Sequence, residues 1–418
     1  LDAGLLSPSL RRGVVRLLPK VPTVPLPSQL RPITLLSVDY KLLAKMLVAR
    51  LLHVLPSVLR STQLCSVRGR SIFDGAAAIL SAAEYLHRRR VPGFLLSLDF
   101  YHAYDRVSMQ WLDRVLEAMG FGVVLRGWVA TLHRRASACF MLHSLSPDMA
   151  VEFSIRQGDP AASVFFVIYI EPLLVRLEAV LRGLFMGGLR EASLGYMDDV
   201  NILGEDESDI VIADCVCRTF EAASGAILNR NRKTVVLGLG AWEGRQVWPL
   251  AWLQAVQQAK VYGVLVAPQL QTTIAASWDL VIGGVERVLL QWAARRLPTL
   301  RQRAAAVESF AVSKAWYLAQ ILPLPDSAAK RLRRAVADFL WRGRLEQLAH
   351  EELHTPFAEG GLGLSAISTR AQALLAKQAC HRLAEGGRPS LHLAYWIGLR
   401  LRTYIPSLWA GLHAEDIP

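Results

Sequence analysis

Two adjacent carboxylates, Asp198 and Asp199, interrupt an apolar stretch in GYMDDV (195–200). Like charges this close repel, and each loses hydration if it is buried. Solvent or a metal ion must compensate. A third acid, Asp99, lies at the end of another apolar run, GFLLSLDF (93–100). A strand-end aspartate beside a hairpin-tip pair supplies what two-metal phosphoryl transfer requires: carboxylate oxygens that hold two Mg²⁺ ions roughly 3.5–4 Å apart. Mg²⁺ prefers oxygen ligands and keeps substrate phosphate in its shell; Mn²⁺ is the alternative ion. A DD dipeptide alone is more often a solvated turn, so this reading depends on the elements around it.

Those elements can be read from hydrophobic pattern. GFLLSLDF reads as a buried strand, with a helix following through VSMQWLDRVLEAMG. ASLGY and VNILG read as two strands of a hairpin with its acids at the tip. IRQGDP (155–160) is a loop that opens an apolar helix, SVFFVIYIEPLLVRLEAVL (163–181). Its Glu171, Arg176 and Glu178 favour a protein core over a membrane span. PKVPTVPLPSQLRP (19–32) reads as an extended connector. The segment 37–55 reads as an amphipathic helix, capped by Ser37, striped by Leu43, Leu47, Leu51 and Leu55, and stopped by Pro56. Lys41 and Lys45 share another face of it, either solvated or in contact with phosphate. KTVVLGL and AKVYGVLVA (259–267) read as further strands, and amphipathic helices dominate from about 278 onward. Strands cluster in the middle with helices flanking them, which is an α+β arrangement.

At 418 residues the chain exceeds one ordinary core. The net charge of +12 points to a polyanionic partner, nucleic acid before membrane. Of the 47 basic residues only eight are Lys, so base composition of the gene contributes to that charge. Cys65, Cys139, Cys215, Cys217 and Cys380 are scattered and odd in number, without zinc-site spacing. That pattern fits a reduced, intracellular protein.

The order of motifs is more specific than any one of them. LRPITLLSVDYKLLAKMLVARL (30–51), QLCSVRGRSIFD (63–74), LLSLDFYHAYDRV (95–107), IRQGDPAASVFFVIYIEPLL (155–174), GYMDDVNILG (195–204), SGAILNRNRKTVVL (224–237) and KVYGVLV (260–266) succeed one another. Together they resemble the motifs of LINE-type, non-LTR retrotransposon reverse transcriptases. FLWRG (339–343) and EGGLGL (359–364) extend the resemblance beyond the thumb.

The resemblance implies a right-hand polymerase fold, with an antiparallel-sheet palm and helical fingers and thumb. Fingers and palm would occupy 1–268 (fingers mainly 1–92 and about 120–150), a helical thumb 269–345 and a helical post-thumb region 346–418. It implies RNA-directed DNA synthesis from an RNA template, a DNA primer and dNTPs, with an RNA–DNA hybrid as the product. Asp99, Asp198 and Asp199 match the catalytic acids, with Asp199 in a supporting role and the Phe100 carbonyl completing the metal shell. Gln157 and Gly158 match a turn against the nucleotide, where a glycine lets substrate approach the backbone. Arg31 and Arg70 match basic positions of the fingers that hold triphosphate or template. Lys233 matches the lysine that helps the pyrophosphate leave, and Tyr104 an aromatic gate over the sugar. Asp105 is expected to orient the palm helix. Arg331, Arg333 and Arg334 would supply the thumb's grip on the duplex.

The chain departs from the family at Tyr101-His102, at Asp159-Pro-Ala-Ala-Ser and at Met197. These changes keep open the alternative of a catalytically inactive or domesticated nucleic-acid-binding remnant; a group II intron-type maturase, which shares the palm motifs, is a further alternative. The parent protein is expected to be longer, with an upstream endonuclease, and to act as a ribonucleoprotein in nucleus and cytoplasm, without a membrane.

Overall fold

The computed structural model describes residues 4–404, apart from 20–25, 27, 28, 152, 153, 232, 296, 346, 347 and 349. Most of the expected connector and the end of the chain lie outside the described residues.

A five-stranded sheet organises the middle of the molecule. Its order is Gln254–Val256, Val235–Gly240, Pro92–Leu98, Asp199–Gly204, Ser193–Tyr196. Every pairing is antiparallel except the first, which is parallel. The central strand is buried on both faces, and for that reason GFLLSL reads as a continuous apolar run. Alternate side chains of a strand point to opposite faces, and here they feed two different cores. Phe94, Leu96, Leu98, Val200, Ile202 and Val236 pack with the helices Ala162–Val180 and Ser208–Ser224. Leu95, Leu203, Leu237 and Leu239 pack with the helices Ile72–Arg89 and Leu270–Ala293. The register Leu96↔Ile202 and Leu95↔Leu203 keeps the two sets apart. A one-residue slip would exchange them.

The apolar helix predicted around 163–181 is found as Ala162–Val180, buried along nearly its whole length. No helix among the described residues is long and apolar enough to cross a membrane.

Four elements differ from expectation. A second, four-stranded sheet runs Leu30–Leu35, Arg12–Pro19, Ser137–Phe140, Met149–Ala150. It takes in Arg31 and Pro32, which the sequence placed in the connector. Proline is tolerated there because the strand is a sheet edge. AKVYGVLVA is a hairpin rather than one strand, turning at Tyr262 (φ 48°) and Gly263 (φ 77°). The C-terminal helices begin at Leu270, earlier than about 278, and continue through Leu300–Ala306, a π-helical stretch Val307–Val312, Ser313–Leu318 and Asp326–Trp341. The last two helices, Ile367–Glu385 and Gly387–Tyr404, return toward Ile72–Arg89, where Arg382 pairs with Asp74 at 3.4 Å.

The fourth difference concerns Pro56. The helix runs Val38–Val58, so proline sits inside its last turn rather than ending it. The carbonyls left open by the helix end find a donor in Arg70. Its guanidinium donates to the carbonyls of Arg60 (2.5 Å), Gln63 (2.9 Å), Leu59 (3.2 Å) and, at the limit, Pro56 (3.4 Å). The planar fork of Arg70 is thus engaged by main chain, and burial lowers its pKa. Arg70→Met is therefore expected to cost at least about 2 kcal/mol of stability, because hydrogen bonds to a charged donor are worth about 1.5–3 kcal/mol each. Urea unfolding measures it, and an unchanged midpoint would return Arg70 to a role in binding phosphate.

Candidate active site

The hairpin GYMDDV folds as the sequence suggests, with one refinement. Tyr196 pairs with Asp199, so Met197 and Asp198 alone form the tip and Asp199 already belongs to the returning strand. Met197 holds φ at 58°, a left-handed conformation that a branched or bulky residue rarely adopts. Across the sheet, Asp99 follows the end of the neighbouring strand, which pairs Leu98 with Val200. The two strands thus carry the three acids to one end of the sheet.

The acids sense one another. Burial raises the pKa of Asp198, and the charge of Asp99 adds to it, while Arg31 and Lys233 act the other way. Lost hydration, then the charges of Asp198 and Asp99, push Asp199 up to about 6, even though its surface is open to solvent. Lys233 holds its ammonium 3.8 Å from Asp99 Oδ1. The charge of Arg31 thus reaches Asp198.

Sequence reasoning missed what holds Asp99. Asn229 Nδ2 donates to Asp99 Oδ2 at 3.1 Å, and the Asn229 N–H donates to the Asp99 carbonyl at 2.8 Å. The Asp99 N–H donates to Thr234 Oγ1 at 3.3 Å, and Tyr101 N–H to Ile227 O at 2.8 Å. Phe100 bridges Leu228 and buries its ring. The segment 227–234 thus zips along 99–101. Its signal was present in SGAILNRNRKTVVL, but only Lys233 in that string carried an assignable charge.

The donor set is one of hard oxygens, in keeping with Mg²⁺. Among the described residues, however, no three His, Cys, Asp or Glu side chains converge on one metal position. The protein supplies separated carboxylates, and Mg²⁺ ordinarily completes its shell with water and substrate phosphate. The residues fit the ion on those terms.

Around the acids, Tyr104 lies in a 3-10 turn, Ala103–Arg106, its ring stacked on Phe166 at 4.7 Å and its hydroxyl donating to Met197 Sδ at 3.1 Å. It spans the gap between the long apolar helix and the hairpin tip. Asp105 pairs with His102 at 3.2 Å on the surface, away from a ligand role. Gln157 accepts through its carbonyl from Thr34 N–H at 2.6 Å. Gly158 has φ 111°, and a Cβ there would stand 2.4 Å from the Thr34 carbonyl. The neighbouring strand thus makes one close approach that requires a glycine here.

The remaining basic residues lie elsewhere. Lys45 is exposed and Lys41 half-buried on the helix Val38–Val58. Arg331 forms a fork with Glu286 (2.8 Å to each oxygen) and reaches Asp279 at 3.2 Å, tying two helices together. Arg333 and Arg334 line a cavity of about 820 Å³ with Glu308 and Trp341, and none of the three acids lines it. Arg333 reaches Ser368 at 3.4 Å and Arg334 stands 4.0 Å from Asp338.

Residues 18–265 match the family described as reverse transcriptase (RNA-dependent DNA polymerase). Among curated proteins the chain is similar to the Transposon TX1 uncharacterized 149 kDa protein of Xenopus laevis, 29% identical over 384 residues, covering 88% of this chain and 28% of that protein. It is also similar to the retrovirus-related Pol polyprotein from type-1 retrotransposable element R2 of Popillia japonica, 24% identical over 372 residues, covering 84% of this chain and 50% of that one. The chain therefore spans half or less of the length of these relatives. Among solved structures, apo telomerase from Candida tropicalis aligns at 10% identity with a TM-score of 0.49, over 99% of this chain and 69% of that one.

The raised pKa of Asp199 makes stability depend on pH. The protonated acid is the form the fold favours, so its contribution is fully present below the unfolded value near 4 and is lost as pH rises through about 6. Without divalent metal, urea midpoints of the wild type should fall between about pH 4 and pH 6. Asp199→Asn should flatten that slope. Parallel slopes for the two proteins would mean that Asp199 does not feel its neighbours.

Proposed function

The chain belongs to the reverse transcriptase (RNA-dependent DNA polymerase) family, and from that premise we propose that it copies RNA into DNA for a retrotransposon of the LINE type. The observation that carries the reading is the meeting of Asp99, Asp198 and Asp199 at one end of the central sheet, where the charge of Asp99 reaches both of the other acids. Reverse transcriptases use divalent metal and bind an RNA template and DNA. Here Asp99, Asp198 and the Phe100 carbonyl would hold the metal, with Asp199 in support. When bound, Mg²⁺ neutralises the triphosphate and makes the primer's terminal hydroxyl easier to deprotonate.

The protein's own groups do the rest. Asn229 fixes one oxygen of Asp99 and leaves the other toward Lys233. Lys233 is placed to give charge, or a proton, to departing pyrophosphate. Arg31 offers a second cation near Asp198, which would meet triphosphate or template phosphate. Gln157 and Gly158 form the turn that abuts the strand Leu30–Leu35, so nucleotide and template would be bounded by both. Lys41, Lys45, Arg333 and Arg334 present positive charge to nucleic acid beyond the site. Fingers and palm would lie within 1–268, the thumb in 269–345 and the post-thumb helices after 346. In the cell the chain would act within a longer protein that also carries an endonuclease, as a ribonucleoprotein of nucleus and cytoplasm.

Primer extension on an RNA template with dNTPs and Mg²⁺ tests the reading directly. Asp99→Ala or Asp198→Ala should abolish synthesis while fold and template binding persist. Stability of Asp198→Ala should hold or rise, since a buried like charge is removed. Near wild-type extension by either variant would refute the metal assignment. A folded wild type that binds primer–template in a salt-sensitive way, yet extends nothing, would favour the inactive remnant.

Sugar selection supplies an independent test. Tyr104, wedged between Phe166 and Met197, would exclude a 2′-hydroxyl by bulk; these contacts, which fix its ring, support that role. Tyr104→Val should raise ribonucleotide use relative to dNTP by at least about tenfold, equivalent to about 1.4 kcal/mol. Tyr104→Phe keeps the ring and should leave the preference unchanged. An active Tyr104→Val with unaltered selectivity would place the gate elsewhere.

A further inference from the structure

Glu171 is 1% exposed in the middle of the apolar helix Ala162–Val180, and no step of nucleotidyl transfer calls for it. A carboxylate in such a place costs stability unless specific partners meet it. Its Oε1 accepts the Arg60 N–H at 2.6 Å, and its Oε2 has no partner among the described residues. Burial pushes its pKa up to about 7, while the Arg60 N–H and the nearby charge of Arg70 act to lower it.

Arg60 opens the loop that follows the helix Val38–Val58. Arg70 holds the carbonyls of that turn from one side, and Glu171 holds its N–H from the other. Two residues further on, the loop joins the active-site hairpin. Gly195 N–H donates to Thr62 O at 2.9 Å, and Leu64 N–H donates to Gly195 O at 2.8 Å. Gln63 and Gly195 form a parallel bridge, so the loop adds a short strand to the free edge of the central sheet. The helix carrying Glu171 reaches the same spot, since a Cβ on Gly195 would stand 2.8 Å from Leu174 Cδ1. Gly195 begins the GYMDD turn and lies three residues before Asp198.

We propose that Glu171 is a positioning residue for the polymerase reaction: by binding the Arg60 N–H it clamps the 60–64 loop onto Gly195 and so fixes the hairpin that presents Asp198. The inference rests on the proposed polymerase function. A sheet edge is the freest part of a sheet, and a ligand at a hairpin tip inherits any slip of that edge. Displacements of about 1 Å at reacting groups can cost on the order of a hundredfold in rate. The carboxylate acts through the loop and touches neither nucleotide nor acid, so it should affect turnover and leave nucleotide affinity alone.

Hydrogen exchange and single-nucleotide primer extension on the full chain test this together. In Glu171→Ala, the amides of Arg60, Leu64 and Gly195 should exchange at least about tenfold faster, while those of the central strand keep their protection. The saturating rate of nucleotide addition should fall by a similar factor, with KM for dNTP within about twofold of wild type. Glu171→Gln keeps an oxygen acceptor and should restore both. Should the alanine variant not fold, Glu171→Asp retracts the oxygen from the Arg60 N–H and must show the same loosening and the same loss of rate. Unchanged exchange at Leu64 and Gly195 in a folded variant overturns the clamp. A loosened loop with an unchanged rate overturns its role in positioning. If the wild type extends no primer, the polymerase reading fails on its own, and the exchange data still decide the clamp.

Discussion

Repulsion among three carboxylates at one end of a sheet is the constraint to which the surrounding structure answers. Asp198 and Asp199 are neighbours in the chain and Asp99 follows the end of the next strand, so the charge of Asp99 pushes both toward protonation and that of Asp198 pushes Asp199 further. Left to itself such an end would splay. It is held because the strands beneath it are buried on both faces, with one core formed around Phe94 and Leu96 and another around Leu95 and Leu203. Hydrophobic burial of this kind is worth about 25 cal/mol per Å², and it is spread over many residues. The repulsion is confined to three side chains, which is why the sheet can tolerate it.

Local hydrogen bonds then orient what the cores merely hold. Asn229 and Thr234 grip Asp99 through side chain and main chain, and Lys233 offers a counter-charge to its other oxygen. The loop at 60–64 covers the free edge at Gly195. Tyr104 reaches the tip through Met197. Each of these contacts comes from a different part of the chain, so the site is assembled by tertiary structure and not by any single motif.

That division explains what the sequence revealed. The strand before Asp99, the hairpin around Asp198 and the buried helix after Gln157 were legible because apolar runs and turn residues are local signals. The order of motifs then tied the three acids together. The edge strand Leu30–Leu35 was not legible, because Pro32 reads as a connector unless the strand is known to lie on an edge. Arg70 and Arg331 were assigned to phosphate because an arginine's partner cannot be read from the residue itself. Main-chain carbonyls at a helix end claim Arg70, and Glu286 claims Arg331. Asn229 was missed for the converse reason: a neutral amide in a charged string gives no hint of the carboxylate it will meet.

The departure at Asp159 bears on whether the chain is a decayed copy. A carboxylate placed by drift into a buried position would be expected to lack partners, and the cost of an unpaired buried charge is several kcal/mol. Asp159 is 6% exposed and is fully met. Tyr40 donates its hydroxyl to Oδ2 at 2.5 Å, the Ala161 N–H donates to Oδ1 at 2.9 Å, and Arg156 stands 3.9 Å away. The same guanidinium lies over the Tyr40 ring at 4.5 Å and donates to the Arg11 carbonyl at 3.1 Å. His133 is buried close by, and loss of hydration lowers its pKa, so it adds no second cation to the cluster. Two neighbours in the loop and two residues from distant segments, Tyr40 and His133, thus surround Asp159. Such agreement is the mark of a core repacked around Asp159 rather than damaged by it, and the turn Gln157–Gly158 that it supports keeps its contacts with Thr34. The change next to the site is therefore accommodated by the packing around it.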